Sequence, residues 1–136
     1  MLTPKKTRFK KSHQKCYKSR ETKNLFLSKG IFGLKSLQNK ELKAKQLEAL
    51  KKSFLKKGGK NVKIWLNLFP HFSKTNKPLE SRMGKGKGNI SFFYYFVKTG
   101  KIIFEFDGFD SRFVKIVKKN TIKKFPFKTK LIFKNF

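Results

Sequence analysis

Cysteine and histidine are scarce in this chain of 136 residues, and their scarcity excludes several kinds of site. Cys16 is the only cysteine, so the chain cannot form an internal disulfide or hold zinc with a cluster of thiolates. The two histidines, His13 and His71, have no second histidine, cysteine or acid at the spacing of metal ligands. We therefore expect no metal site.

Long apolar runs are also missing. No stretch approaches the length of a membrane-spanning helix, and residues 1–11 lack the apolar core of a secretory signal. From Glu41 to Lys57 an apolar arc lies opposite a lysine-rich arc, which favours a helix packed on a protein core over one lying on a membrane. We predict no membrane partner.

Acidic residues number only seven, against 36 lysines and arginines, and the net charge is +29. This excess cannot be neutralised within the chain, and its self-repulsion predicts a polyanionic partner. Seventeen phenylalanines and a hydrophobic content of 38% indicate a folded core rather than a disordered polycation. Only four of the basic residues are arginine and only two residues are alanine, a bias that indicates an AT-rich or organellar genome.

Hydrophobic periodicity predicts an α+β fold with two amphipathic helices packed on a largely antiparallel sheet. The first helix is expected at residues 41–57 with Asn39 as the best N-cap candidate, although residues 43–48 would allow a later start. The second helix is expected after the N-cap Asp110. Thr99-Gly100 is interpreted as the turn of a hairpin. The predicted strands are 25–27, 31–34, 62–69, 90–97, 101–107 and 127–133.

The distribution of charge and apolar residues predicts two regions. Residues 1–24 are basic, contain one acid and are too poor in apolar residues to form a core, so they are expected to be an N-terminal arm. Residues 25–136 are expected to form a single α+β domain. Within it, residues 70–89 are predicted to be a long projecting loop, and loops of this length are usually functional or disordered.

The end of that loop carries the motif that we consider most informative, Arg82-Met83-Gly84-Lys85-Gly86-Lys87-Gly88-Asn89. Glycine lets the backbone approach another surface closely, and each lysine places a positive charge beside that surface. The spacing fails the P-loop pattern and a strand follows instead of a helix, so we expect no nucleotide cofactor. The remaining interpretation is contact with structured RNA.

Catalysis was the alternative with the least support. Glu105 and Asp107 lie two residues apart on one predicted strand, which would place both carboxylates on the same face. No histidine or serine is near them in sequence, and lysine-rich segments surround them. We interpret them as local charge partners on a solvated face and predict that the protein is not an enzyme.

Several motifs together resemble the bacterial-type large-subunit ribosomal protein family numbered sixteen. The similarity runs over almost the whole chain, although residues 14–28 and those after Gly108 match poorly, and Lys43 replaces a threonine helix cap typical of the family. The motifs that carry it are Met1 to Phe9, Phe32-Gly33-Leu34-Lys35, Gln46 to Ala49, Lys63-Ile64-Trp65, Phe69-Pro70, Lys77-Pro78, Arg82 to Asn89 and Phe104 to Gly108.

The resemblance implies a fold of the α/β-hammerhead type and a structural role in the large ribosomal subunit. It implies binding to large-subunit rRNA, contact with neighbouring ribosomal proteins and no homo-oligomer. It also implies that the long loop, with Arg82 near its tip, approaches the tRNA acceptor region by the peptidyl transferase centre. The expected RNA-binding residues are Lys5, Lys6, Arg8, Lys10, Lys11, His13, Lys35, Arg82, Met83, Gly84, Lys85, Gly86, Lys87 and Gly88.

The same resemblance aligns Met1 with the family's own N-terminus, which leaves no room for a presequence. Together with the AT-rich composition, this predicts an organelle-encoded protein of the mitochondrial ribosome, with a plastid or an AT-rich bacterial cytoplasm as alternatives. The alternative function is that of a free-standing cationic protein that binds RNA or membranes.

Overall fold

The structure, a computed structural model, describes residues 2–7, 9, 11–13, 19–58, 62–108 and 111–134. The predicted N-cap Asp110 and the proposed RNA contacts Arg8 and Lys10 lie outside these residues. The elements of the described residues are β1 (Phe32–Ser36), β2 (Lys40–Lys43), α1 (Ala44–Gly58), β3 (Lys63–Leu66), β4 (Phe72–Asn76), β5 (Asn89–Val97), β6 (Ile102–Asp107), α2 (Ser111–Lys124) and β7 (Thr129–Phe133).

The strands form two antiparallel sheets. One sheet has four strands in the order β3-β6-β1-β7, and the other has three in the order β2-β5-β4. The predicted α+β class with two helices on antiparallel strands is confirmed, but the strands are divided between two sheets. Periodicity identifies strands without identifying their partners, so this division was not visible in the sequence.

The helices cover one face of the four-stranded sheet. Leu47, Leu50 and Phe54 recur at helical spacing on α1 and are almost fully buried. The Phe54 ring meets the rings of Phe104 and Phe106 edge-on at centroid distances of 5.4 and 5.2 Å. This aromatic contact fixes α1 against β6 and explains why the chain needs so many phenylalanines in its core.

Helix α1 begins at Ala44, which agrees with the later of the two predicted starts, because residues 40–43 form strand β2. Asn39 is not its N-cap: its side-chain oxygen accepts hydrogen bonds from the backbone N–H and the hydroxyl of Thr99, the latter at 2.8 Å. Lys43 precedes the helix and cannot accept the usual capping bond. Its backbone N–H instead donates to the side-chain oxygen of Gln46 at 3.0 Å, which is half of a capping box.

The hairpin predicted around Thr99-Gly100 is wrong. β5 pairs with β2 and β4, whereas β6 pairs with β1 and β3, so the chain changes sheets at this turn. Ser36 holds the turn: its carbonyl accepts from the N–H of Gly100 at 2.8 Å, and its N–H donates to Lys101 at 2.9 Å. Gly100 has a φ of 92°, which suits glycine and permits the change of direction.

Two further predicted boundaries differ from the structure. Residues 25–27 are not a strand, and β4 lies inside the segment predicted as a loop at 70–89. β4 carries only one large apolar side chain, Phe72, and therefore gives a weak alternating pattern. The strands at 90–97 and 127–133 and the second helix are confirmed in outline by β5, β7 and α2.

Candidate nucleic-acid interface

Residues 77–88, here called the Gly-Lys loop, connect the two strands of a β-hairpin. β4 and β5 pair over five positions from Phe72–Tyr94 to Asn76–Asn89, and residues 77–88 join them. β5 pairs along its other edge with β2, so it is the central strand of its sheet. β4 pairs with the half of β5 next to the loop, and β2 pairs with the far half from Tyr94 to Val97, so the loop rises from a strand that is anchored in the sheet at its far end.

The backbone at the end of this loop has an unusual conformation. Gly84, Lys85 and Gly86 follow one another with φ angles of 100°, 54° and 78°. A Cβ atom added at either glycine would have no neighbour within 4 Å. A side chain at these positions would therefore be disfavoured by the backbone conformation and not by contact with other atoms. Positive φ is uncommon for a residue such as Lys85 and is typical of segments with a function.

Gly88 has a different role at the base of the loop. A Cβ atom placed there would collide with the backbone of Asn76 and lie 2.8 Å from the nitrogen of Lys77. Glycine is thus required for the two ends of the loop to come together. Lys77 adds a hydrogen bond across the loop, from Nζ to the carbonyl oxygen of Gly84 at 2.5 Å.

The predicted contacts at the tip are open to solvent. Arg82, Lys85 and Lys87 are exposed, and Met83 is as exposed as in an extended chain. An RNA phosphate can therefore approach the charged ends of these side chains directly, without any rearrangement of the loop to expose them.

The N-terminal arm meets the loop in the described residues. Lys11 donates from Nζ to the carbonyl oxygen of Lys87 at 2.5 Å, and Lys87 donates in return to the carbonyl oxygen of Ser12 at 2.5 Å. His13 is exposed next to this contact in sequence. The structure thus joins two predicted regions that are more than seventy residues apart.

The other predicted contacts are not all part of this surface. Lys5 and Lys6 are exposed on the arm. Lys35 is only half-exposed on β1, where its side chain passes 3.8 Å from the position of a Cβ on Gly100.

Glu105 is buried, contrary to its interpretation as a solvated charge partner. It is 1% exposed, and its carboxylate accepts hydrogen bonds from the backbone N–H groups of Ser28, Lys29 and Gly30 at 3.1, 2.7 and 3.0 Å. The amide of Asn67 donates at 2.6 Å. Burial acts to raise the pKa of Glu105, but these hydrogen bonds outweigh it and hold the pKa below its ordinary value.

This carboxylate anchors residues 27–31 on the face of the four-stranded sheet opposite the helices. Strand register places Glu105 beside Gly33 and Trp65 on that face. A Cβ on Gly30 would lie 2.6 Å from the carbonyl oxygen of Phe106, and one on Gly33 would lie 2.6 Å from Leu27. The two glycines therefore allow residues 27–31 to lie close against the sheet. In that position the backbone N–H groups of the segment donate hydrogen bonds to the carboxylate of Glu105.

No carboxylate pair is available for catalysis at this place. Asp107 accepts a hydrogen bond from the N–H of Gly108, and Glu105 is occupied by structural donors. In the part of the chain that the structure describes, no group of three or more histidine, cysteine or acidic side chains could hold a metal ion. Neither described helix is long and apolar enough to cross a membrane.

The fold and its surface define a structural α+β protein that presents a basic hairpin loop. A family model described as "Ribosomal protein L16p/L10e" matches residues 4–132, and the chain belongs to this family. It is therefore a ribosomal protein, a structural component without enzymatic activity, as predicted.

Relatives from bacteria and from algae support this membership. The large ribosomal subunit protein uL16 of Psychrobacter arcticus is 36% identical over 132 residues, which cover 97% of this chain and 96% of the relative. The uL16 protein of Mycoplasmoides gallisepticum is 40% identical over 105 residues, 77% of this chain and 76% of its own. The uL16c protein of Euglena longa is 38% identical over 135 residues, covering 99% of this chain and 100% of the relative.

Proposed function

We propose that this chain is a structural constituent of the large ribosomal subunit that binds large-subunit rRNA and helps to position tRNA near the peptidyl transferase centre. The observation that carries the proposal is the exposed Arg82–Lys87 tip on a β4–β5 hairpin whose strand β5 also pairs with β2 at the end far from the loop. The loop of such a hairpin can reach into folded RNA while the hairpin strands remain paired in the sheet.

The charge of the chain supports an RNA partner. Its seven acids can neutralise at most seven of the 36 basic residues, and two of the acids, Glu21 and Glu41, are already within 3.6 and 3.0 Å of lysine ammonium groups. The uncompensated lysines release counterions from RNA when they bind its phosphates, which drives association.

The contact set has three parts under this proposal. Arg82 and the glycines and lysines after it approach the tRNA acceptor region, and the arm binds rRNA. Lys35 would contact rRNA separately from the loop. The proposed contacts are Lys5, Lys6, Arg8, Lys10, Lys11, His13, Lys35, Arg82, Met83, Gly84, Lys85, Gly86, Lys87 and Gly88.

Sedimentation tests the assignment to the large subunit. Epitope-tagged chain in a lysate of its own cells is expected to co-migrate with large subunits and whole ribosomes at one copy per particle. Migration with free small subunits, or absence from large subunits, would overturn the proposal. Binding to RNA or vesicles without stoichiometric association with ribosomes would support a free-standing cationic protein instead.

We further propose residence in the mitochondrial ribosome. The AT-rich composition supports an organelle, and the relatives include bacterial proteins as well as uL16c proteins of Cyanidium caldarium and Euglena longa. Ribosomes purified separately from mitochondria, plastids and cytosol and analysed by mass spectrometry should contain the chain only in the mitochondrial fraction. Its presence in plastid ribosomes would overturn this location and leave the assignment to the large subunit intact.

The division into an arm at residues 1–24 and a domain at 25–136 is proposed on the same basis. Brief proteolysis of the free protein should remove the arm first and leave a resistant core that includes both sheets. Cleavage within the core before the arm would contradict this division.

A further inference from the structure

A groove of about 670 Å³ opens along the edge strand β3 of the four-stranded sheet, with Lys51 of α1 on one side and residues 24–29 on the other, and it contains no residue of the Gly-Lys loop. It lies between the segment that Glu105 anchors and the edge strand β3. Its lining includes Phe26, Lys29, Lys51, Trp65, Asn67 and Phe69, with Glu105 among the buried groups. The volume is within the range of pockets that bind small ligands or single groups of larger ones.

Three aromatic rings lie in this groove. Phe26 is 86% exposed and Phe69 is 46% exposed, while Trp65 is half-buried on β3. A single exposed phenylalanine would need no explanation, but exposed rings that share one groove with a tryptophan offer flat apolar surfaces to a ligand. Flat rings of this kind are the surfaces on which unpaired bases stack.

The polar groups of the groove favour an anionic partner. Lys29 and Lys51 line it and supply positive charge. Glu105 is the one acid among the described lining residues, and its carboxylate is buried behind three backbone N–H groups and the Asn67 amide. Those donors partly offset its charge, and the two lysines leave the lining with an excess of positive charge.

We propose that this groove holds one unpaired nucleotide of RNA, with its base stacked on the aromatic rings and its phosphate beside Lys29 or Lys51. The inference rests on the proposed function, since it assigns a second RNA contact to a protein already proposed to bind rRNA. It adds a site that reads an unpaired base, whereas the Gly-Lys loop offers charge and close backbone approach.

The competing occupant is an apolar side chain of a neighbouring protein. An apolar side chain could pack against the rings, but it would gain nothing from the two lysines unless the peptide were also acidic. The overall charge of +29 favours a polyanion over such a peptide. Replacement of Phe26 by leucine distinguishes the two occupants. Leucine can still pack against an apolar side chain, but it has no ring on which a base could stack.

Trp65 is the only tryptophan of the chain, so its fluorescence reports on the groove without labelling. The full-length protein is titrated at about 0.3 M salt, which weakens non-specific phosphate contacts, with a dye-labelled single-stranded RNA. Anisotropy of the dye measures binding, and Trp65 emission measures occupation of the groove. The same titration with an RNA of equal length made abasic removes the bases and keeps the phosphates.

Single-stranded RNA is expected to bind and to quench Trp65, whereas the abasic strand binds more weakly and leaves the emission nearly unchanged. Phe26→Ala and Phe26→Leu should each lower the affinity roughly ten-fold, since each removes a ring on which a base stacks. Leu55→Ala is the matched control, because Leu55 is 43% exposed on α1 and does not line the groove. It should leave binding and quenching unchanged.

Three results would overturn the inference in different ways. RNA that binds by anisotropy without any change in Trp65 emission would remove the groove site and leave the proposed RNA binding standing. Equal quenching by abasic RNA, or full affinity in Phe26→Leu, would show that no base stacks there and would favour the apolar side chain. Failure of any RNA to bind would remove this site and the proposed function together.

Discussion

At the scale of single residues, the buried carboxylate of Glu105 connects sequence to fold most directly. It collects the N–H groups of Ser28, Lys29 and Gly30 and so holds in place a segment that has no strand partner of its own. An anion suits this position, because successive backbone N–H groups form a natural anion-binding concavity. Neutral residues of similar size would leave the N–H groups poorly satisfied.

Glu105→Gln should lower the free energy of unfolding by about 2 kcal/mol, since hydrogen bonds to a charged acceptor are lost or weakened. Urea denaturation of the two proteins at neutral pH measures the difference. Glu80→Gln removes the same charge from an exposed loop position and should have almost no effect. Equal stability of all three proteins would mean that Glu105 does not anchor the segment.

The stability of the wild-type protein should also depend on pH through this residue. The pKa of Glu105 is lower in the folded protein than its ordinary value of 4.5, so the folded state favours the ionised form. Its contribution is fully present above the pKa of the unfolded chain and is lost as the pH falls through the folded value. Glu105→Gln should therefore lose less stability than the wild type on acidification below about pH 4.5.

Arg82 illustrates the opposite kind of residue, one that the fold leaves free for a partner. It is exposed near the tip of the loop. Arg82→Ala should leave the thermal stability of the free protein within about 0.5 kcal/mol of the wild type and impair the assembly or activity of large subunits. Thermal unfolding and complementation of a depleted strain measure the two effects, and a clear loss of stability would make Arg82 a structural residue.

At the scale of elements, the hairpin depends on a close approach at its base. Gly88→Ala should force β4 and β5 apart where Asn76 faces it and lower the free energy of unfolding by about 1–3 kcal/mol. Gly86→Ala is the control, since its Cβ meets nothing within 4 Å although its φ is positive. Urea denaturation should show a smaller loss for the control, and a loss at Gly88 no larger than that at Gly86 would mean that the close approach to Asn76 does not limit residue 88.

The elements also show how far the sequence could predict the fold. Apolar patterning identified β5, β7 and the two helices, because the apolar residues of those segments are dense or regularly spaced in the sequence itself. Strand β4 was not predicted, since Phe72 is its only large apolar side chain. The exchange of partners between β5 and β6 was also not predicted, because strand pairing depends on contacts distant in sequence such as those of Ser36.

The candidate site was predictable in part for a similar reason. The Gly-Lys motif is contiguous and could be recognised directly, whereas the rings and lysines of the groove come from three separate segments, with Phe26 and Lys29 in one, Lys51 in another, and Trp65 and Phe69 in the third. Only folding brings these together. Glu105 gave no sign of burial either, because a carboxylate in a lysine-rich sequence ordinarily lies on the surface.

At the scale of the whole molecule, the charge predicts a strong dependence of RNA binding on salt. Neutralising about eight phosphates of single-stranded RNA would give a slope of about −6 in a plot of log K against log salt. Filter binding at several salt concentrations measures it. A slope near zero would mean that the lysines do not contact phosphates.

Single lysines allow the same measurement to locate the contacts. Lys85→Gln at the loop tip should reduce the magnitude of the slope by about one, because one phosphate contact is lost. Lys45→Gln removes an equal charge from the exposed surface of α1 and should leave the slope unchanged. Equal effects of both substitutions would indicate a diffuse attraction spread over the surface.

The direct passage from β2 into α1 has a mechanical consequence. Lys43 ends the strand and Ala44 begins the helix, so no flexible residue separates the three-stranded sheet from the main core. Lys43 pairs with Tyr94, and β5 runs about 17 Å further to Asn89, so a push on the Gly-Lys tip acts on this junction through that length of strand. A force on the tip is therefore expected to reach α1 through the pairing of β5 with β2.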